Sequence, residues 1–266
     1  MFPGSWGNLP TSLATEFIRD FEAGMGQLWE SGSHAIPNLM QHMAIFFARY
    51  NVQLSRTDSY SMFLERLAND DKLEDAIFST LNYECLLEIA VSGSGRTVNY
   101  LSEHIPSEET LTLWKLHGSC NFLPGEGVTA TRGVSFGPGV TMNPGIRTVN
   151  PSDVTPYCMS DTALYPIMSV YTRGKPVQIS PYVTESLQNW WKAAVESAES
   201  VVVVGVHPHA VDEHIWAPLA STNASVSLVG NDDAIRAWIR DARNGRPSQY
   251  IGSRFHDHID ELVASL

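Results

Sequence analysis

The sequence predicts an α/β fold: a doubly wound, Rossmann-like parallel sheet with an N-terminal helical layer and a loop-rich insertion. Three observations predict it. Short apolar runs without polar alternation stand at 76–80, 113–117, 201–206 and 226–229, the pattern of strands covered on both faces. Segments with apolar residues three and four apart separate them, which is the helical half of an α/β unit. The 266 residues, 43% of them hydrophobic, are enough for a substantial core without disulfide or metal staples.

The helical layer is expected over 1–72. Thr11 or Ser12 can cap a first helix whose Leu13, Phe17, Ile18 and Phe21 recur at helical spacing. A second, 36–50, carries Leu39, Met43, Ile45, Phe46 and Phe47, an apolar band wide enough for burial on more than one side. A third covers 59–67, and Gly24, Gly26, Gly32 and Pro37 mark the breaks. The sheet core is expected over 73–117 and 162–266 of one continuous domain, 1–266. Residues 76–80 read as a buried strand feeding a helix over 83–90, and 113–117 as the next strand. Further strands are expected near Val134 and over 176–180.

Residues 118–161 are dense in glycine and proline, from Pro124 to Pro156, and read as a loop-rich insertion of the kind that borders binding sites. A helix over 184–198 follows, with Leu187, Trp190, Trp191, Ala194 and Ala198 on one stripe; both tryptophans read as core. It feeds four consecutive valines, Val201 to Val204, that end at Gly205. A short helix over 212–220, a strand over 226–229 and a helix opening at Asn231 complete the pattern. In that last helix Ile235, Trp238 and Ile239 face inward, and Asp232 and Asp233 occupy the turn that the helix dipole makes favourable for anions.

Composition removes several function classes. The 17 Lys and Arg stand singly against 29 Asp and Glu, a formal net charge of −12, so a phosphate backbone is repelled and nucleic acid is a poor partner. No apolar run approaches the roughly 20 residues of a membrane helix. The first residues, from Met1 to Gly7, have neither a basic stretch nor an apolar run of the signal-peptide type, which predicts a cytoplasmic protein. Cys85, Cys120 and Cys158 stand far apart in sequence with no Cys-x-x-Cys pair, so no zinc knuckle is expected and each reads as a small buried residue.

Ligands of open parallel sheets bind where strands end, so polar residues there are the candidates. Four ends stand out: Thr80-Leu81-Asn82-Tyr83-Glu84, His117-Gly118-Ser119, Gly205-Val206-His207-Pro208-His209 and Gly230-Asn231-Asp232. Each has a plain alternative. Asn82 and Asn231 both suit a helix N-cap, which for Asn231 is the favoured reading, and His117 can be a strand-end histidine satisfied by backbone. A rival chemistry lies in 207–214, where His207, His209 and Asp212, with His214 beyond, approximate the His-x-His-x-Asp-His set of dinuclear metallo-hydrolases. An extra residue before Asp212 and another before His214 spoil that spacing.

In order and in type, these segments resemble the sirtuin-like family of NAD-binding proteins, in particular its zinc-free bacterial branch, which includes NAD-consuming anti-phage defence proteins. Thr80 to Glu84 is similar to the family's Thr-x-Asn-[Ile or Tyr]-Asp strand end, and Lys115-Leu116-His117-Gly118-Ser119 to its Lys-Leu-His-Gly-Ser. The valine strand ending at Gly205 with Asp212 downstream, and the strand ending at Asn231, complete the set over about 75 to 245. The resemblance implies NAD as substrate without zinc, with Thr80, Glu84, Gly205 and Asn231 at the cofactor and His117 and Asn82 carrying the chemistry. It implies hydrolysis of NAD to nicotinamide and ADP-ribose in preference to protein deacylation, with a homo-oligomer or a defence-system protein as partner. The alternative is a catalytically idle module of the same family that regulates or assembles.

Two departures stand beside the matches. The family's opening strand and Gly-Ala-Gly-x-Ser turn, whose amides cradle the pyrophosphate, have no counterpart before the first helix. Val206 and His207 stand where relatives carry Ser or Thr.

Overall fold

The structure, a computed structural model, describes residues 11–50, 54–55, 57–132, 134 and 139–266. Among these it is a mixed α/β chain with parallel strands, as the apolar runs predict, but the strands form two three-stranded sheets where the sequence pattern led to the expectation of one. The elements in order are α1 (Thr11–Arg19), α2 (Phe21–Glu30), α3 (Ile36–Ala48), α4 (Ser59–Asn69), β1 (Ile77–Thr80), α5 (Leu86–Gly93), β2 (Thr97–Asn99), β3 (Thr110–Lys115), β4 (Phe122–Pro124), β5 (Ile146–Thr148), α6 (Pro151–Met159), α7 (Pro181–Ser197), β6 (Ser200–Val204), α8 (Glu213–Ser221), β7 (Ser225–Val229), α9 (Asp232–Ala242), β8 (Ser248–Gly252) and α10 (Ile259–Ala264). None of the described helices is long and apolar enough to cross a membrane. The chain divides into two compact units. One comprises Met1–Val52, Thr80–Leu86 and Lys115–Ser186; the other comprises Gln53–Ser79, Leu87–Trp114 and Leu187–Leu266.

In the first unit the apolar band of α3 is buried on several sides, from Ile36 and Leu39 to Ala44 and Ala48, as its width predicts. Its one buried amide, Gln41, donates from Nε2 to the carbonyls of Thr162 (2.9 Å) and Leu164 (2.8 Å), so a polar side chain inside the layer is satisfied by the segment packed on it. Asp20 caps α2 at the Ala23 amide, and Gly24 lets that helix lie on the Phe17 ring, which an added Cβ would meet at 2.8 Å. Residues 118–161 hold more regular structure than their glycines and prolines suggest. β4 pairs antiparallel with β5, and α6 packs on α3. Pro151 sits in the first turn of α6, where its missing N–H costs nothing, and the i, i+4 pair Val154 and Cys158 is buried. The segment expected as a strand over 176–180 is reduced to a single bridge from Ile179 to Met142. Val134 lies in no strand, and its neighbours Gly133 and 135–138 lie outside the described residues.

The second unit holds the bodies of both parallel sheets. In one, the strand order is β1-β3-β2, with β2 parallel to β3; in the other, β6 and β8 flank β7 and run parallel to it. A core of Leu64 and Leu67 from α4, Ala90 and Val91 from α5, Leu111 and Leu113 from β3, and Val263 from α10 fills the first sheet's helical side. The valine run is a strand, but Val201, Val202 and Val204 are half-buried, and Ile77 of β1 is exposed. Both strands lie at the edge of a three-stranded sheet, where one side of the ladder has no neighbour. The sequence expectation of full burial therefore holds for the central strands β3 and β7 and not for these. The expected stripe of α7 shifts by one turn position: Leu187, Trp191 and Val195 are buried, while Trp190 lies half-buried with its ring 6.2 Å from that of Trp114.

One side chain ties the second sheet's connections together. Arg243, at the end of α9, is completely buried and spends all five N–H groups: Nε on the Ser248 hydroxyl, Nη1 on the carbonyls of Leu219 and Thr222, and Nη2 on those of Ala224 and Pro247. These carbonyls belong to the end of α8, the turn into β7 and the turn into β8, each of which would otherwise present unsatisfied acceptors inside the protein. Replacing Arg243 with methionine should lower stability by about 3–5 kcal/mol, because the acceptors stay buried while the donors go. Urea unfolding checks this; a midpoint unchanged from wild type contradicts it.

Candidate functional site

Each strand end named by the sequence is set by local hydrogen bonds. After β1 the chain turns at Thr80, whose Oγ1 accepts from the Asn82 amide at 3.1 Å. Asn82 is exposed and donates from Nδ2 to Glu84 Oε1 at 3.0 Å, and the second oxygen of that carboxylate accepts from the Leu86 amide. Glu84, and not Asn82, is therefore the side chain that caps α5, and the helix opens three residues later than the apolar pattern suggests. A carboxylate at that place satisfies an orphan N–H and meets the positive end of the helix dipole. With its amide nitrogen turned to Glu84, Asn82 presents its carbonyl oxygen outward.

Tyr83, between these two polar residues, points the other way and is buried. Its hydroxyl donates to the Ser169 carbonyl (3.0 Å), its ring lies 5.4 Å from that of Phe47, and its carbonyl accepts from the Cys120 amide (2.9 Å) and the Ser119 hydroxyl (3.2 Å). The Leu116 amide donates to the Thr80 carbonyl at 3.1 Å. The segment after β1 is thus laced to the segment after β3, on both sides of Asn82 and His117. Lys115 is fully buried there, with its ammonium donating to the Glu84 carbonyl.

His117 is 4% exposed. Its carbonyl accepts from the Ser169 amide at 2.8 Å, and the Ser119 amide donates to the Ile167 carbonyl at 2.9 Å, so residues 167–169 form a third strand of backbone beside the turn. Gly118 makes this approach feasible. Its φ is +78°, and a Cβ would stand 2.1 Å from the Ile167 oxygen. The Ser169 hydroxyl, in a fully buried residue, has no hydrogen-bond partner among the described residues. Sequence reading missed Ser169 because it lies in a segment without helical or strand period, about fifty positions from His117. Lys115 was visible as part of the Lys-Leu-His-Gly-Ser run, but nothing there marked it as buried.

In the second unit, Gly205 ends β6 with φ +69° and donates its amide to the Val229 carbonyl at 2.8 Å; no atom stands within 4 Å of where a Cβ would be. Asn231 caps α9 by accepting from the Ala234 amide at 3.1 Å, the plain alternative that its sequence position favoured. Asp232 and Asp233 fill the first turn, and Asp232 pairs with Arg236. Two carboxylates there meet the helix dipole and make that end unfavourable for a phosphate.

His207 and His209 are exposed with ring centroids 6.3 Å apart, and His209 Nδ1 accepts from the Val211 amide. His207, His209 and Asp212 do not bring ligand atoms within 4.8 Å of one another as a set, although Asp212 and His214 do approach that closely. The spacing fault in 207–214 is therefore not repaired in space. A surface pocket of about 350 Å³ between α4 and the C-terminal segment is lined by Glu65, Arg66, His256 and Asp260 among others, and contains none of the residues nominated from sequence.

Burial raises the thiol of Cys158 to about 12, with neighbouring Cys120 adding to the effect and Arg132 opposing it, so this cysteine is a neutral packing residue at physiological pH.

No protein-family model and no curated protein matches this chain.

Gly118→Ala is expected to destabilise the protein by roughly 3 kcal/mol, from the left-handed backbone and the clash with the Ile167 carbonyl together. Chemical denaturation reads this directly, and a loss below about 1 kcal/mol would show that the turn can open without cost.

Proposed function

We propose that this chain is a sirtuin-like, NAD-binding protein that hydrolyses NAD to nicotinamide and ADP-ribose without zinc. The observation that supports it best is the buried His117, in a turn laced by backbone to the Asn82 segment and to Ser169, whose own buried hydroxyl has no partner among the described residues. Leaving a buried hydroxyl unsatisfied costs about 1–3 kcal/mol, and such groups in native proteins commonly serve a water or a ligand.

The reaction breaks the N-glycosidic bond between ribose C1′ and the cationic nicotinamide ring. Nicotinamide leaves neutral, and the sugar passes through an oxocarbenium-like state of the kind known from glycoside hydrolysis. Water adds to C1′ and loses a proton. His117 takes that proton, since imidazole is the side chain whose unperturbed pKa is nearest neutrality. Asn82, oriented by Glu84, holds a ribose hydroxyl or the water through its outward carbonyl oxygen, and the Ser169 hydroxyl orients the same water. Thr80 and Glu84 hold the segment that presents Asn82; the resemblance assigns Gly205 and Asn231 to the cofactor as well, with Asn231 on its adenosine side. The two parallel sheets, read as parts of one Rossmann-like core, give strand ends of the type that bind nucleotides.

The setting proposed is cytoplasmic, and the biological role proposed is anti-phage defence with a second copy or a defence-system protein as partner. The rival within the same family is an idle module that regulates or assembles.

Following nicotinamide release from NAD by the purified protein separates the two readings. Turnover is expected, falling by about 100-fold or more in His117→Ala with NAD binding retained, because a general base contributes about 10²–10⁴-fold. Ser169→Ala, which removes an unpartnered buried hydroxyl, should leave stability unchanged or slightly raised while slowing release. No release by wild type, together with NAD binding by His117→Ala indistinguishable from wild type, selects the idle module.

A further inference from the structure

Cys85 and Cys120, thirty-five positions apart, come together beneath the laced segments of the first unit. Their sulfurs lie 3.9 Å apart, and both residues are buried, at 3% and 0% exposed. Cys85 follows Glu84 at the start of α5, and Cys120 follows Ser119 in the turn after β3. The Cys120 amide bonded to the Tyr83 carbonyl holds the two backbones in register at this point, so the closeness of the sulfurs is set by the main chain and not by a chance pair of rotamers.

We propose that Cys85 and Cys120 are a redox modification site: a dithiol that a peroxide converts to an intramolecular disulfide, joining the segment that carries Asn82 to the segment that carries His117. This does not depend on the NAD reading, since it uses only the two thiols and their spacing. In the first step one thiolate attacks the peroxide; an S–O bond forms, the O–O bond breaks, and the departing hydroxide takes the thiol's proton to leave as water. In the second step the other sulfur attacks the sulfenic sulfur; the S–S bond forms, the S–O bond breaks, and a second water leaves with the remaining thiol proton. Two sulfurs are oxidised by one electron each, and one peroxide is reduced to two waters.

The sulfur contact chooses this pair. Burial holds the Cys158 thiol protonated, which slows its own attack on a peroxide. The distance also limits the movement required. The sulfurs must close from 3.9 Å to about 2.05 Å, within the reach of a χ1 adjustment and a small shift of either turn.

The experiment treats the folded full chain with hydrogen peroxide, then denatures it, blocks remaining thiols with N-ethylmaleimide and measures intact mass and tryptic peptides. The expected result is loss of two hydrogens, one blocked thiol in place of three, and a cross-linked pair of the peptides 73–96 and 116–132, all reversed by dithiothreitol. Cys158→Ser should form the same cross-link to the same extent, and Cys120→Ser should form none. Three blockable thiols surviving a dose that oxidises the urea-unfolded chain overturns the assignment. So does a dominant cross-link between 116–132 and 148–173, or oxygen addition without a cross-link.

Discussion

The carbonyl of Tyr83 accepts two hydrogen bonds from the turn after β3, one from the Cys120 amide and one from the Ser119 hydroxyl, and the placement of the candidate site residues depends on it. With that carbonyl pinned, Tyr83 must bury its ring on Phe47 and send its hydroxyl to Ser169, while its neighbours Asn82 and Glu84 face away from the core. The bend at Tyr83 and Glu84 and the bond from Asn82 to Glu84 keep the two polar side chains on the side away from the Tyr83 ring. Gly118 completes the constraint from the other side, because only a residue without a Cβ lets residues 167–169 pair with the turn that carries His117. One backbone acceptor and one missing methyl group thus decide which of these groups face outward and which are buried.

Two fully buried cations, one in each unit, follow the same logic. Lys115 lies inside the laced segments with its ammonium on the Glu84 carbonyl, and Arg243 lies inside the second unit with its guanidinium on four carbonyls and a hydroxyl. No carboxylate is among the partners of Arg243 in that set. The cation is offset by carbonyl dipoles that chain turns have left without N–H partners, so charge and unsatisfied backbone solve each other's desolvation problem. In a chain with an excess of 12 negative charges, these two cations serve the interior and are unavailable to an external anion.

The strand ends were legible because their signals are local. Continuous apolar runs located β1, β3, β6 and β7, and the polar residues that follow each run located Thr80, Asn82, Glu84, His117, Gly205 and Asn231. The short strands β2, β4 and β5 were not legible. Three residues are too few to show a period, and their pairing energy comes from partners that are distant in sequence. α6 was hidden by Pro151 and Pro156 although its Val154 and Cys158 carry the helical spacing, since proline in a first turn marks a helix start as readily as a break. Half-burial of the valine strand was likewise out of reach, because whether a strand is central or at an edge is a property of sheet order and not of its own residues.

By itself, then, the sequence located β1, β3, β6, β7 and most of the longer helices, and it nominated an amide, an imidazole and a carboxylate at strand ends, since propensity, capping and apolar period act over a few residues. Only the tertiary structure decided what those groups do. It made Glu84 rather than Asn82 the cap of α5, buried His117 and Lys115, set the Ser169 hydroxyl in the interior, and brought the sulfurs of Cys85 and Cys120 within 3.9 Å. Apart from the Glu84 cap, a contact over two positions, those outcomes rest on contacts between residues about thirty to fifty positions apart. Such contacts form when main-chain donors and acceptors must be paired out of water, a requirement that no short stretch of sequence can state alone.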